Sequence, residues 1–186
     1  MAEQAIQAEQ EQQGLNRRSF LRNAAAAAGG LAFTQWAFSN FEAAAQNGQD
    51  YVIVADVARG SGGDPTGPSC VGTSVFERGE QVVWRAMVYD ASTGELVNSS
   101  DAVDSRGLSM SVEVEGQDTL EMEHGPHPPN SSDQLYFWTA AWTIPPNVSG
   151  RVKYTLTVED GDGGTGSLEI LGSTDAVTFP YALTVE

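Results

Sequence analysis

The sequence predicts an all-β protein, an antiparallel sandwich of seven to nine strands that follows an N-terminal signal segment. Several stretches alternate apolar and polar residues with a period of two, which is typical of strands that bury one face. Turn-forming residues separate these stretches roughly every 8–15 residues, a spacing that favours a sandwich over a fold with helical crossovers. After residue 45 no stretch longer than one turn has helical periodicity.

The clearest strand pair lies near the C-terminus. Arg151–Glu159 alternates strictly, and its apolar positions, which include Tyr154 and Leu156, form one face. The segment Asp160-Gly161-Asp162-Gly163-Gly164 tolerates positive φ angles and can reverse the chain. Ser167–Leu171 is then the returning strand, so this region predicts a β-hairpin.

The same patterns predict the other strands and the loops between them. Tyr51–Val57 has apolar residues on both faces, unlike the other strands. Ala58–Ser69, rich in glycine, and Gly125–Asp133, with three prolines, are predicted loops. The remaining predicted strands are Cys70–Phe76, Gln81–Asp90, Leu108–Glu115, Thr119–His124, Leu135–Ile144 and Val177–Val185.

Two of these strands and the hairpin resemble a known module. Gln81–Asp90 (QVVWRAMVYD) and Arg151–Glu159 resemble strands of bacterial and archaeal immunoglobulin-like domains. The segment YTLTVEDGDGGTGS resembles the closing hairpin of the polycystic-kidney-disease repeat. The resemblance covers about a third of the chain after residue 45 and implies an immunoglobulin-like sandwich. Members of this family are mostly non-catalytic recognition or spacer modules of exported proteins.

The N-terminus carries the pattern of an export signal. Arg17-Arg18-Ser19-Phe20-Leu21 resembles the twin-arginine export motif, with Arg17, Arg18, Phe20 and Leu21 as its defining residues. An apolar run, Ala24–Phe38, follows, and Ala43-Ala44-Ala45 offers a small-residue cleavage site. We therefore expect residues 1–45 to be a signal peptide and 46–186 to form the sandwich domain in the periplasm, outside the cell or on its surface. An uncleaved segment would be the domain's only link to a membrane.

The charge and the cysteine count exclude several classes of protein. The chain has 9 basic and 25 acidic residues; residues 1–45 contribute three arginines and four glutamates, which leaves a net charge of −15 on 46–186. Such a surface repels phosphate backbones, so we expect no nucleic-acid partner. Cys70 is the only cysteine, which excludes an intramolecular disulfide.

Cys70, Met122, His124 and His127 are candidate ligands for copper or zinc. Thiolate, thioether and imidazole groups suit these ions, and the two histidines are only three residues apart. The alternative interpretation is a buried structural cysteine, a core methionine and two loop histidines. By strand parity, His124 and Met122 point inward.

Asp160 and Asp162 are candidate ligands for calcium. Carboxylates that alternate with glycine can hold this ion at the end of a strand, although the helix-loop-helix pattern is absent. A hairpin turn explains the same residues without an ion.

The aromatic residues predict a core and an exposed ring. Parity places Trp84, Trp138 and Trp142 in the core, and it leaves Phe137 exposed for a sugar or a protein.

Three sequons, at Asn98, Asn130 and Asn147, lie in predicted loops. Nucleophile motifs are absent, so we expect a non-catalytic accessory subunit with a protein partner, and an exported oxidoreductase is a candidate for that partner. The alternative is a small metal-binding redox protein using Cys70 and the histidines.

Replacing Arg17-Arg18 by Lys-Lys should block export, because the twin-arginine route depends on the paired guanidinium groups. Immunoblots of cytoplasmic and exported fractions should find the precursor retained in the cytoplasm. Normal secretion of the double mutant would show that the protein uses a different route.

Overall fold

The computed structural model describes residues 48–127, 135–170 and 182–186. These ranges contain eleven strands and one helix, a result that confirms the all-β prediction. In chain order they are β1 (Tyr51–Gly63), β2 (Val75–Phe76), β3 (Glu80–Asp90), α1 (Ser100–Arg106), β4 (Ser109–Val114), β5 (Leu120–Glu121), β6 (Glu123–His127), β7 (Leu135–Thr143), β8 (Gly150–Arg151), β9 (Tyr154–Glu159), β10 (Thr165–Ile170) and β11 (Thr184–Val185).

Two four-stranded antiparallel sheets form the body of the protein. The first sheet has the strand order β1-β3-β7-β6, and the second has the order β10-β9-β4-β5. A smaller sheet of order β2-β11-β8 lies at one end, and its β11–β2 pair is parallel. The predicted hairpin is present as β9 and β10, with Glu159 opposite Thr165.

One hydrophobic core lies between the two main sheets. Trp84 of β3 is fully buried, with its ring 6.1 Å from that of Trp142 and 5.6 Å from that of Tyr154. The predicted inward orientation of Trp84, Trp138 and Trp142 is confirmed. The inward residues of the central strands are Tyr51, Ile53, Ala55, Val57, Val82, Trp84, Ala86, Val88, Trp138, Ala140 and Trp142 from the first sheet and Met110, Val112, Val114, Tyr154, Leu156 and Val158 from the second.

The helix α1 was not expected from the sequence. Ser99 caps it by accepting a hydrogen bond from the Ala102 amide, and Gly107 ends it with a φ of 62°. Only Val103 of its seven residues is buried. Such a short helix is specified by the residues that cap its two ends. It is too short to show a periodic apolar face in the sequence.

Several predicted boundaries were wrong. β1 continues to Gly63 and β6 to His127, although both ends were predicted as loops, because antiparallel pairing extends past the apolar residues. The predicted strand Cys70–Phe76 is reduced to Val75–Phe76. Of the predicted last strand Val177–Val185, residues 177–181 lie outside the described ranges, and β11 forms from Thr184 and Val185.

A buried carboxylate fixes the loop that follows β1. Glu80, the first residue of β3, is 0 % exposed. Its Oε1 accepts hydrogen bonds from Arg59 Nε at 2.7 Å and from the Thr66 amide and hydroxyl at 2.8 and 2.6 Å. Its Oε2 accepts one from the Glu77 amide at 2.8 Å. Burial raises the pKa of Glu80, but the hydrogen bonds from Thr66, Glu77 and Arg59 outweigh it and lower the pKa to about 2.

Glu80→Gln should lower the free energy of unfolding at neutral pH by about 3–5 kcal/mol, since it breaks a buried ion pair. In the parent protein this stabilisation is complete above the ordinary glutamate pKa of 4.5 and is lost as the pH falls through about 2. Denaturant titrations from pH 7 to pH 2 should therefore find a shallower acid slope for the variant. An equal loss of stability in the exposed control Glu77→Gln would contradict the assignment.

Candidate functional site

Cys70 lies at the free edge of β1, far from both histidines. Its amide donates to the Arg59 carbonyl, and Gly72 forms a bridge with Ala58. Cys70 is exposed and has a positive φ of 62°, so it does not begin a strand as predicted. The free edge of β1 is separated from β6, the strand of His124, by β1 itself, β3 and β7.

The strand order separates the predicted copper or zinc ligands. Neighbouring strands are about 4.8 Å apart, so four spacings place the Cys70 backbone roughly 19 Å from β6. Metal bonds of about 2.0–2.3 Å cannot connect groups at that distance. The part of the chain that the structure describes also contains no group of three His, Cys, Asp or Glu residues able to hold a metal ion.

The two histidines lie on opposite faces of β6. His124 stacks on Tyr136, with ring centroids 5.5 Å apart, and makes a tilted contact with Trp138 at 5.0 Å. These rings point toward the core. His127 instead contacts Phe137, at 6.4 Å. The inward orientation predicted for His124 is confirmed, and Met122 beside it is buried. His127 does not lie beside His124, because β6 remains extended through His127.

His124 is a half-buried group inside an aromatic cluster. Its Nε2 is buried and has no hydrogen-bond partner. Burial lowers the pKa of the imidazole, while a hydrogen bond with the Asn98 backbone and the charge of Asp104 oppose that shift. We conclude that His124 packs as part of the aromatic cluster at the end of the core.

The side chain of Asp160 stabilises the hairpin turn. One of its oxygens accepts from the Gly164 and Asp162 amides at 2.7 and 2.9 Å, and the other accepts from the Tyr51 hydroxyl at 2.7 Å. The Tyr51 hydrogen bond is the largest of the effects that lower the pKa of Asp160. These contacts support the turn interpretation over the predicted calcium site.

An acidic cleft surrounds this turn at one end of the sandwich. It has a volume of about 520 Å³, and Asp50, Asp90, Asp160 and Asp162 contribute to its walls. Asp90 accepts from Ser92, Thr93 and Arg106, and Asp50 accepts from the Thr165 amide. Asp50, Asp90 and Asp160 each accept hydrogen bonds that hold a turn or the start of a strand in place. The main role of these cleft residues is therefore structural.

The outer face of the second sheet is entirely polar. The register aligns Glu113 with Thr155 and Glu169, and Ser111 with Thr157. Each of its outward positions in these strands carries a hydroxyl or a carboxylate group. They are Ser109, Ser111, Glu113, Glu121, Thr155, Thr157, Glu159, Thr165, Ser167 and Glu169.

The outer face of the first sheet carries an apolar patch. Val52 lies opposite Tyr89, which lies opposite Leu96, and Val54 lies opposite Met87. Directly opposed residues share a face of a sheet. On β7 the same face continues with Phe137 and Leu135. We call these seven residues the outer apolar patch: Val52, Val54, Met87, Tyr89, Leu96, Leu135 and Phe137.

Exposure increases across the outer apolar patch from β1 toward β7. Val52 and Val54 are each 3 % exposed, Leu96 is 37 % exposed and Leu135 is 60 % exposed. The ion pair between Asp56 and Arg85 borders the patch on the same face. The sequence signal for the patch is the presence of apolar residues on both faces of Tyr51–Val57. Phe137, predicted to be exposed, is half-buried within the patch.

The predicted sequons and the export motif lie apart from the sites described above or outside the described residues. Among the sequons, Asn147 is exposed and Asn98 is half-buried, and Asn130 lies outside the described ranges. Arg17, Arg18, Phe20 and Leu21 of the export motif also lie outside them. Within the described residues, no helix is long and apolar enough to cross a lipid bilayer.

Comparison of the chain with protein-family models and with curated protein sequences finds no match.

His124→Phe should reduce the loss of stability between pH 7 and pH 5. The folded state resists protonation of His124, so in the parent protein stability falls as the pH drops through the ordinary histidine value of 6.5. Thermal melts across this range measure the slope. An unchanged slope in His124→Phe would contradict the assignment.

Proposed function

We propose that this chain is an exported, non-catalytic immunoglobulin-like domain that binds a partner protein through the outer apolar patch. The observation that carries the proposal is the difference between the two outer faces. One outer face bears only hydroxyl and carboxylate groups. The other carries seven apolar or aromatic side chains, of which Met87, Tyr89, Leu96, Leu135 and Phe137 keep accessible surface. A protein whose net charge is −15 after residue 45 gains little from exposing such a patch, unless another surface covers it.

The energetics of the patch favour protein recognition. Fully burying one Leu or Phe side chain contributes about 1.5–3 kcal/mol, and Leu135 and Leu96 retain much of their surface to bury. Aromatic residues and methionine are enriched in protein interfaces, and Tyr89, Met87 and Phe137 supply them here. The strands hold these side chains in place, so binding costs little conformational entropy.

The chemistry of the described residues supports an accessory role rather than catalysis. Cys70 and the two histidines, which would form the alternative redox centre, lie on separate edges and faces of the first sheet. The carboxylates of Asp90 and Asp160 in the acidic cleft are engaged in turns. A twin-arginine signal serves proteins that fold before export, often with a partner. We therefore place this domain beside an exported protein, with an exported oxidoreductase as the leading candidate.

The proposal is tested by partner capture from the native exported fraction. Tagged 1–186 is expressed in its host, and the partner is identified by cross-linking and mass spectrometry. Leu135→Asp with Phe137→Asp should abolish capture, because charges in the interface remain unpaired after binding. The matched control Thr157→Asp, on the outer face of the second sheet, should retain it. Equal capture by both variants would contradict the proposal.

A further inference from the structure

The loop between β7 and β8 carries the sequon Asn147-Val148-Ser149. Asn147 and Ser149 are both exposed. The Val148 amide donates to the Pro145 carbonyl at 3.1 Å, and Arg78 Nε donates to the Val148 carbonyl, also at 3.1 Å. Two hydrogen bonds and two prolines therefore hold this asparagine in a defined, exposed turn.

The sequon at Asn98 lies in a different environment. Asn98 is half-buried. Ser99 caps α1 by accepting a hydrogen bond from the Ala102 amide, and Ser100 is the first residue of that helix. The Asn98 sequon is therefore part of a folded helix start, whereas the Asn147 sequon is open to an enzyme that acts on the folded domain.

A polar groove lies beside the Asn147 turn. It has a volume of about 210 Å³, and Asn147 is one of its lining residues. Trp142, which is 8 % exposed, also contributes to its wall. Residues with amide, hydroxyl or charged side chains line it as well: Glu115, Gln117, Ser149, Arg151 and Lys153. A sugar ring packs on an aromatic surface and forms hydrogen bonds through its hydroxyl groups, and this groove provides for both.

We infer that Asn147 is a site of N-linked glycosylation and that the first sugar of the glycan lies in this groove. In the transfer, the side-chain nitrogen of Asn147 bonds to the anomeric carbon of an oligosaccharide carried on a lipid phosphate. The bond from that carbon to the phosphate oxygen breaks, the phosphate keeps the bonding electrons, and the amide gives up one proton to it. This inference rests on the proposed function for one condition, the export that brings the folded domain to the lipid-linked donor.

A glycan on Asn147 leaves the outer apolar patch accessible. The Ile144 amide donates to the Glu80 carbonyl at 3.0 Å, so the Asn147 turn lies near the start of β3. Leu135 is at the other end of β7, about 27 Å from Thr143 for an extended strand of this length. The glycan and the partner protein can therefore be bound at the same time.

The test uses the full chain, expressed in its host and purified from the exported fraction. Chymotrypsin cleaves after Trp142 and Tyr154, and the peptide between these sites contains Asn147 but neither Asn98 nor Asn130. We expect mass spectrometry to find this peptide with an added sugar mass located on Asn147. Exported protein with an unmodified Asn147 would overturn the inference and leave the proposed function standing. Protein found only in the cytoplasm would overturn the proposed export and the inference with it.

Variants of the sequon separate glycosylation from other modifications. Asn147→Gln and Ser149→Ala should each remove the added mass, because the sequon requires both the asparagine and the hydroxyl group. Ser149→Thr keeps the hydroxyl group and should keep the added mass. Persistence of that mass in Asn147→Gln or in Ser149→Ala would contradict the inference.

The position of the sugar is tested through Lys153, the only lysine of the chain. Lys153 lines the groove, and its side chain is 47 % exposed. We expect a bulky N-hydroxysuccinimide ester to acylate Lys153 several-fold more slowly in the glycosylated protein than in Asn147→Gln from the same host. Equal rates of acylation would overturn the placement of the sugar in the groove.

Discussion

The buried carboxylate of Glu80 is the constraint on which the arrangement of the first sheet depends. A fully desolvated carboxylate is costly unless donors surround it, and here Arg59, Thr66 and Glu77 supply them. These donors come from the end of β1, from the following loop and from the turn before β3. The two longest strands of the first sheet are therefore joined at one end by an interaction that tolerates little change in register.

At the other end of the same two strands, a second polar junction performs a similar task. The Tyr51 hydroxyl donates to Asp160, and Arg106 donates to Asp90 at 2.8 Å. The first of these contacts joins β1 to the hairpin of the second sheet. With both ends fixed, β1 presents alternate side chains to two different environments, the core on one side and the outer apolar patch on the other. The register of β1 therefore decides which of its side chains lie in the outer apolar patch.

The sequence predicted what depends on local periodicity. Alternation placed Trp84, Trp138 and Leu156 in the core correctly, because a period of two leaves only two choices of face. It did not predict α1, which is defined by Ser99 and Gly107 rather than by a repeated pattern. Nor did it predict that Cys70 and His124 lie at opposite edges of one sheet, because strand order is set by long-range pairing that local patterns do not encode.

The outer apolar patch shows a second limit of prediction from local sequence patterns. An alternating pattern assigns the outward residues of a strand to solvent, and Met87 and Tyr89 occupy outward positions of β3. The signal that distinguished them was the continuous apolar run in β1, which ordinarily indicates a strand buried on both faces. The register then adds what the sequence lacked, since it sets Val52 opposite Tyr89 and Val54 opposite Met87.

The central claim, that the mature domain recognises its partner through this face, is tested most directly by methyl NMR of the methionines. Met87 lies in the outer apolar patch, whereas Met110 and Met122 lie in the core and serve as internal references. Mature protein carrying ¹³C-methyl methionine is titrated with the partner isolated from the exported fraction. The account predicts that the Met87 resonance shifts or broadens while those of Met110 and Met122 stay in place. Binding that leaves the Met87 resonance unchanged would contradict it.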